Sequence, residues 1–204
     1  MTLANRITIT RMCLSLAVFG FIIAGALWAQ ITALVILTVA SISDGIDGAI
    51  ARRTMTTTPF GAIADPFADK ILVMSVFLAY ASVKDLGVPI WAVFLILLRE
   101  LTISTLRVLA ALNGEVMKAE TSGKIKTTLQ LIAAFTIMVL LIVKTWAAQS
   151  ASVPEPVTQL VALTPSLVWW LTVVAAAFTL FSGLMYLRGH RELIYKSWSE
   201  RKRQ

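Results

Sequence analysis

Long apolar runs separated by short polar stretches dominate the chain. Met12–Trp28 carries no charge, and Gln30–Ala51 is apolar until Asp44 and Asp47. Pro59–Val83 is interrupted only by Asp65, Asp69 and Lys70, and Val88–Leu112 by Arg99, Glu100 and Arg107. Ile125–Val143 and Leu167–Leu187 complete the set. A membrane-crossing helix needs about 20 mostly apolar residues. Backbone polar groups find no water in lipid, so each run is expected to be helical. The pattern predicts an all-α, integral-membrane protein: one domain over residues 1–204 with about six transmembrane helices. A short N-terminal interfacial helix is expected ahead of the first span.

Local punctuation supports these limits. Thr58-Pro59 suits a helix N-cap and first position, and Asn113-Gly114 suits a helix stop. The polar stretch 53–58 is short, so the second and third spans form a hairpin. Residues 150–165, with Pro154 and Pro156, read as an external loop.

Composition and charge refine the picture. Hydrophobic residues make up 58% of the chain and charged residues 14%, against about 25% charged in an average soluble domain. The formal charge is +7. Beside apolar spans that excess suits an anionic lipid leaflet and argues against nucleic acid. Arg6, Arg11, Arg52, Arg53, Lys118, Lys124, Lys126, Arg188 and Arg191 fall at one set of span ends. The positive-inside rule then puts both termini, and this end of the bundle, on the cytosolic side of the inner membrane. The tail 191–204 suits either the membrane surface or solvent. The single cysteine, Cys13, reads as a small buried residue.

Four aspartates stand out. A charged residue in a span costs about 2.5–3.5 kcal/mol on insertion scales, yet consecutive spans hold Asp44 and Asp47, three apart, and Asp65 and Asp69, four apart. Each pair shares a helical face. At about 1.5 Å per residue, Asp47 and Asp44 lie roughly 7 and 12 Å before Arg52. Asp65 and Asp69 lie roughly 9 and 15 Å past Pro59 on the same scale. In an antiparallel hairpin all four reach similar depth. Four adjacent carboxylates need counter-charge. Lys70 and Arg52 supply some; salt bridges alone leave the acids in excess. Divalent cations, which prefer oxygen ligands, supply the rest, and two such ions suit phosphoryl chemistry. Gly45, Gly48 and Gly61 beside the acids allow close helix packing or room for a ligand.

The fixed pattern is Asp44-x2-Asp47-Gly48-x2-Ala51-Arg52-x8-Gly61-x3-Asp65-x3-Asp69. It resembles, at every fixed position, the signature of the CDP-alcohol phosphotransferase family. The resemblance implies that Asp44, Asp47, Asp65 and Asp69 hold Mg2+ or Mn2+, with two ions expected. It also implies that Asp69 is the catalytic base on the acceptor hydroxyl. Asn5, Thr8, Gly48, Ala51, Arg52 and Gly61 would bind the CDP-lipid. A homodimer is implied as well. No Ser, Cys or His nucleophile stands out, since His190 lies in the basic tail, so direct attack of the hydroxyl on the lipid-side phosphorus is expected, with CMP leaving.

The second half should choose the alcohol. Arg99 and Arg107, eight apart, fall on one side of the fourth span. Gly123-Lys124-x-Lys126-Thr127-Thr128-x-Gln130 opens the fifth. Together Arg99, Arg107, Lys124 and Lys126 form a candidate site for an acceptor phosphate. The plain alternatives are pairing of the arginines with Glu100 or lipid, and snorkelling of the lysines. The same residues resemble the phosphatidylglycerophosphate-forming branch of the family, which implies CDP-diacylglycerol and glycerol 3-phosphate as substrates. Another acceptor (inositol phosphate, serine or phosphatidylglycerol) is the alternative within the family. A divalent-cation transporter is the alternative outside it, although transport sites favour the midplane of a repeat and no repeat is visible.

Overall fold

The computed structural model describes residues 3–54, 59–112 and 121–191, and side chains over 9–42, 70–110 and 125–191. Six α-helices account for nearly all of them: α1 (Leu3–Ile23), α2 (Leu27–Thr54), α3 (Pro59–Ser82), α4 (Ile90–Leu112), α5 (Thr121–Gln149) and α6 (Glu155–Gly189). Among the described residues, Ile125–Gln149 and Glu155–Gly189 are long and apolar enough to cross a membrane, and Ile9–Ile23, Leu27–Ile42 and Lys70–Ser82 are shorter apolar helical stretches. α4 is charged at its centre, by Arg99 and Glu100.

The first helix departs from expectation. Leu3–Ile23 is one continuous helix, with no separate interfacial segment. Its sequence contains no proline, and its one glycine, Gly20, is accommodated within the helix, so nothing divides it. It stops well before Trp28 because Gly25 takes φ +70, a conformation open to glycine. The Gly25 amide closes the helix on the Ile22 carbonyl at 3.3 Å. The expected loop over 150–165 is also shorter. Pro154 caps α6 and Pro156 occupies its first turn, where a missing amide costs nothing; Pro165 lies inside the helix. α3 begins at Pro59 as expected, whereas the Asn113-Gly114 stop and the tail beyond 191 lie outside the described residues. Cys13 is exposed on α1 rather than buried.

Helix α1 packs chiefly against α3 and also touches α2, while α6 packs against α5 and α4. Among the described residues α2 meets α3 only sparingly. Val18, Ile22, Leu37, Val76, Phe77, Tyr80, Ile96, Ile137 and Met138 build the central core. The Tyr80 hydroxyl donates to the Ala134 carbonyl at 2.6 Å, tying α3 to α5. α6 turns inward a row of small and hydroxyl residues: Thr164, Val168, Thr172, Ala175, Ala176, Thr179, Ser182 and Gly183. Thr164, Thr172 and Thr179 bond the carbonyl four residues back, at 2.9, 2.8 and 2.6 Å, so their hydroxyls are satisfied without water.

The outside is apolar. Leu16, Trp28, Val35, Val39, Phe94, Phe181 and Leu184 are all more than half exposed, an amount of apolar surface that lipid covers and water does not favour. Trp28, Trp91 and Trp146 are exposed where α2 and α4 begin and α5 ends. These three ends share one side of the bundle, as an interfacial aromatic belt requires. At that side Lys144 donates to the Asp85 carbonyl, and Gly87 packs against the backbone of Pro165.

Candidate active site

Helix α2 runs unbroken through Asp44 and Asp47 to Thr54, and α3 from Pro59 through Asp65 and Asp69. The i,i+3 and i,i+4 spacings therefore operate in real helices, and each acidic pair occupies one face. Gly48, Ala51, Arg52 and Gly61 belong to the same two helices, and Asn5 and Thr8 to the first turns of α1. The side chains of all these residues, and of Lys124, lie outside the described residues. Among the described side chains no group of three or more His, Cys, Asp or Glu could hold a metal; the four aspartates are not among them. The donors that these four residues would offer are all carboxylate oxygens, the ligand type that a hard divalent cation prefers.

The described part of the site centres on Glu100, in the middle of α4 and 1% exposed. A lone carboxylate there would be costly, and three cations meet it. Lys126 of α5, 4% exposed, donates to Oε1. Arg99 Nη1 lies 3.5 Å from the same oxygen, and Lys70 Nζ of α3 lies 3.8 Å from Oε2. Gln130 Nε2 approaches Oε1 at 3.3 Å and donates to Thr179 of α6 at 2.9 Å. One acid thus gathers side chains from α3, α4 and α5, and through Gln130 reaches α6.

Among the described side chains the charges do not cancel. One carboxylate faces three cations, an excess of two positive charges in a largely buried place. Arg107, eight residues after Arg99 in α4, adds another and holds its guanidinium carbon 5.6 Å from the Tyr186 ring centre. Buried charge without compensation is strongly unfavourable, so the arrangement is suited to an anion. The location is informative too. Lys70 follows Asp69 directly in α3, so the α3 member of the cluster is the residue next to the second acidic pair.

Helix α6 closes the cluster. Arg99 Nη2 donates to Ser182 Oγ at 3.3 Å. The arginine stem crosses Gly183, where an added Cβ would come 2.9 Å from Arg99 Cγ. Tyr186 stacks on His190, ring centres 4.4 Å apart, and the His190 ring nitrogen Nδ1 is 3.0 Å from the Tyr186 carbonyl.

The structure therefore brings together Arg99, Arg107 and Lys126 of the expected acceptor set. Glu100 takes three cationic partners, two of them lysines from other helices. Lys70, expected to counter the hairpin acids, reaches Glu100. Ser182, Gly183 and Tyr186 were not foreseen. Their signal was present as small and hydroxyl residues recurring every three or four positions along the last span, a pattern that marks a helix face packed on polar neighbours.

Residues 1–182 match the family model described as CDP-alcohol phosphatidyltransferase. A Bacillus subtilis protein named CDP-diacylglycerol--glycerol-3-phosphate 3-phosphatidyltransferase is 39% identical over 105 residues, which is 52% of this chain and 53% of that protein. A Mycobacterium tuberculosis protein named "Probable phosphatidylglycerophosphate synthase" is 41% identical over 105 residues, 52% of this chain and 49% of the relative. A Sodalis glossinidius protein with the same name as the Bacillus one is 37% identical over 114 residues, covering 54% and 62%. The chain thus spans about half the length of the first two relatives.

Proposed function

Because the chain belongs to the CDP-alcohol phosphatidyltransferase family, we propose that it transfers the phosphatidyl group of CDP-diacylglycerol to sn-glycerol 3-phosphate, releasing CMP. The observation that carries the choice of acceptor is the excess of positive charge around Glu100 among the described side chains, one of whose cations, Lys70, follows Asp69 directly in the chain. A phosphorylated alcohol supplies the matching negative charge. Serine or another unphosphorylated alcohol leaves it unmatched. The names of the relatives point to the same pair of substrates.

In this reading Asp44, Asp47, Asp65 and Asp69 hold one or two divalent cations, Mg2+ or Mn2+, whose charge offsets that of the lipid diphosphate. Gly48, Ala51, Arg52 and Gly61, with Asn5 and Thr8, shape the cytidine and diphosphate pocket. Arg99, Arg107, Lys124 and Lys126 hold the acceptor phosphate, and the Glu100 carboxylate keeps two of these cations convergent. Asp69 accepts the proton of the acceptor hydroxyl. That oxygen bonds to the lipid-side phosphorus as the bond to the CMP oxygen breaks. The site faces the cytosol, where both substrates' polar parts are found.

An acceptor panel tests the proposal. Purified protein with CDP-diacylglycerol and Mg2+ is expected to release CMP with glycerol 3-phosphate, and far less with inositol phosphate, serine or phosphatidylglycerol. CMP release only with one of the others would overturn the assignment. Metal uptake into proteoliposomes without lipid synthesis would replace it with transport.

A further inference from the structure

Three buried polar atoms in and beside the cation cluster have no hydrogen-bond partner among the described residues: Glu100 Oε2, which Lys70 Nζ faces at 3.8 Å, Arg99 Nε and the Tyr186 hydroxyl. Tyr186 is 3% exposed. A helical side chain leans toward the helix N-terminus, so the Tyr186 ring reaches back from its own turn toward that of Ser182 and Gly183. Arg99 lies across that turn, bonded to Ser182 and pressed against Gly183. The Arg107 guanidinium sits over the tyrosine ring, its carbon 5.6 Å from the ring centre.

Glu100 Oε2 can only accept and has the Lys70 charge beside it, whereas the Tyr186 hydroxyl can donate and Arg99 Nε can do nothing else. Donors buried without acceptors are costly, and here they adjoin positive charge that Glu100 alone among the described carboxylates offsets. An anionic oxygen satisfies all of these demands together. We infer that the Tyr186 hydroxyl is an uncharged donor of the acceptor site, hydrogen-bonding a phosphate oxygen of the alcohol beside Arg99. The inference rests on the reading that the acceptor is phosphorylated. It makes α6 a contributor to substrate choice, with Arg107 and His190 fixing the ring that carries the hydroxyl.

Tyr186→Phe removes the hydroxyl and keeps the ring. If the hydroxyl served packing alone, acceptor kinetics would not change. The expected result is a rise in KM for glycerol 3-phosphate of about tenfold or more. KM for CDP-diacylglycerol and the midpoint of thermal unfolding should stay close to wild type. An unchanged acceptor KM, in a protein whose wild type turns over glycerol 3-phosphate, overturns the Tyr186 assignment and leaves the proposed reaction standing. A rise confined to the CDP-lipid KM assigns the hydroxyl to the lipid diphosphate and also overturns it. Should inositol phosphate prove the working acceptor, the proposed alcohol is wrong, and the same comparison made with that acceptor still decides Tyr186. Turnover with unphosphorylated alcohols only removes both.

Discussion

Two residues carry the sharpest expectations. Asp69→Asn keeps size and hydrogen-bonding reach but cannot accept a proton, so kcat should fall at least about a hundredfold. The variant should still purify as folded protein; near wild-type turnover would remove Asp69 from the base role. Gly183→Ala adds one methyl where Arg99 crosses α6, 2.9 Å from Cγ and 3.3 Å from Nε. The arginine must move, so KM for the phosphorylated acceptor should rise several-fold while that for CDP-lipid holds. Steady-state kinetics with each substrate varied in turn checks this. At this scale the sequence was readable where chemistry is expensive. Carboxylates at 44, 47, 65 and 69 announce themselves because lipid penalises them. Glu100 announces itself for the same reason, but not the number of its partners, because Lys70 and Lys126 arrive from other helices at long range. Gly183 and Tyr186 showed only as part of the small and hydroxyl row of the last span, a pattern that marks a packed helix face without singling out either residue.

Helix positions followed from hydropathy, and helix ends from backbone chemistry. The runs at 59–83 and 88–112 anticipate α3 and α4 closely, because proline at position 59 and the polar turn over 83–89 bound them. The first span was placed too late, since Asn5, Thr8 and Arg11 look polar yet interrupt no helix. The last was placed too short, since prolines at 154 and 156 suggest a loop although both are tolerated at a helix start. The turn between α3 and α4 offers a test of how these elements lock. Gly87 has φ +88, and a Cβ there would lie 2.6 Å from Pro165 Cα. Gly87→Ala therefore combines a left-handed conformation with a backbone clash. It should cost more than about 2 kcal/mol of stability, read as a lower midpoint in thermal unfolding of the detergent-solubilised protein.

For the molecule as a whole, the apolar exterior, the family and the long apolar helices agree on a membrane protein. Sidedness comes from the arginines and lysines. With the basic ends inside, a reporter that works only outside the cytoplasm should be silent when fused behind α6 and active when placed between α5 and α6. The opposite pattern would invert the bundle and move the acids to the wrong side for cytosolic substrates. The all-helical class and the six helices of the described residues were legible from hydropathy. The packing order, with α1 against α3 and α6 across α4 and α5, was not, because apolar surfaces alone do not say which helix meets which.

The last helix has one more practical meaning. Lys144 and Pro165 are level with the α3–α4 turn, yet α5 continues to Gln149 and α6 begins at Glu155. About ten residues of α6, roughly 15 Å at the helical rise, stand above that turn. They form a stalk remote from the cation cluster. An epitope spliced into its tip, at residues 150–153, would give a handle for antibodies or cryo-microscopy fiducials that leaves phospholipid synthesis undisturbed.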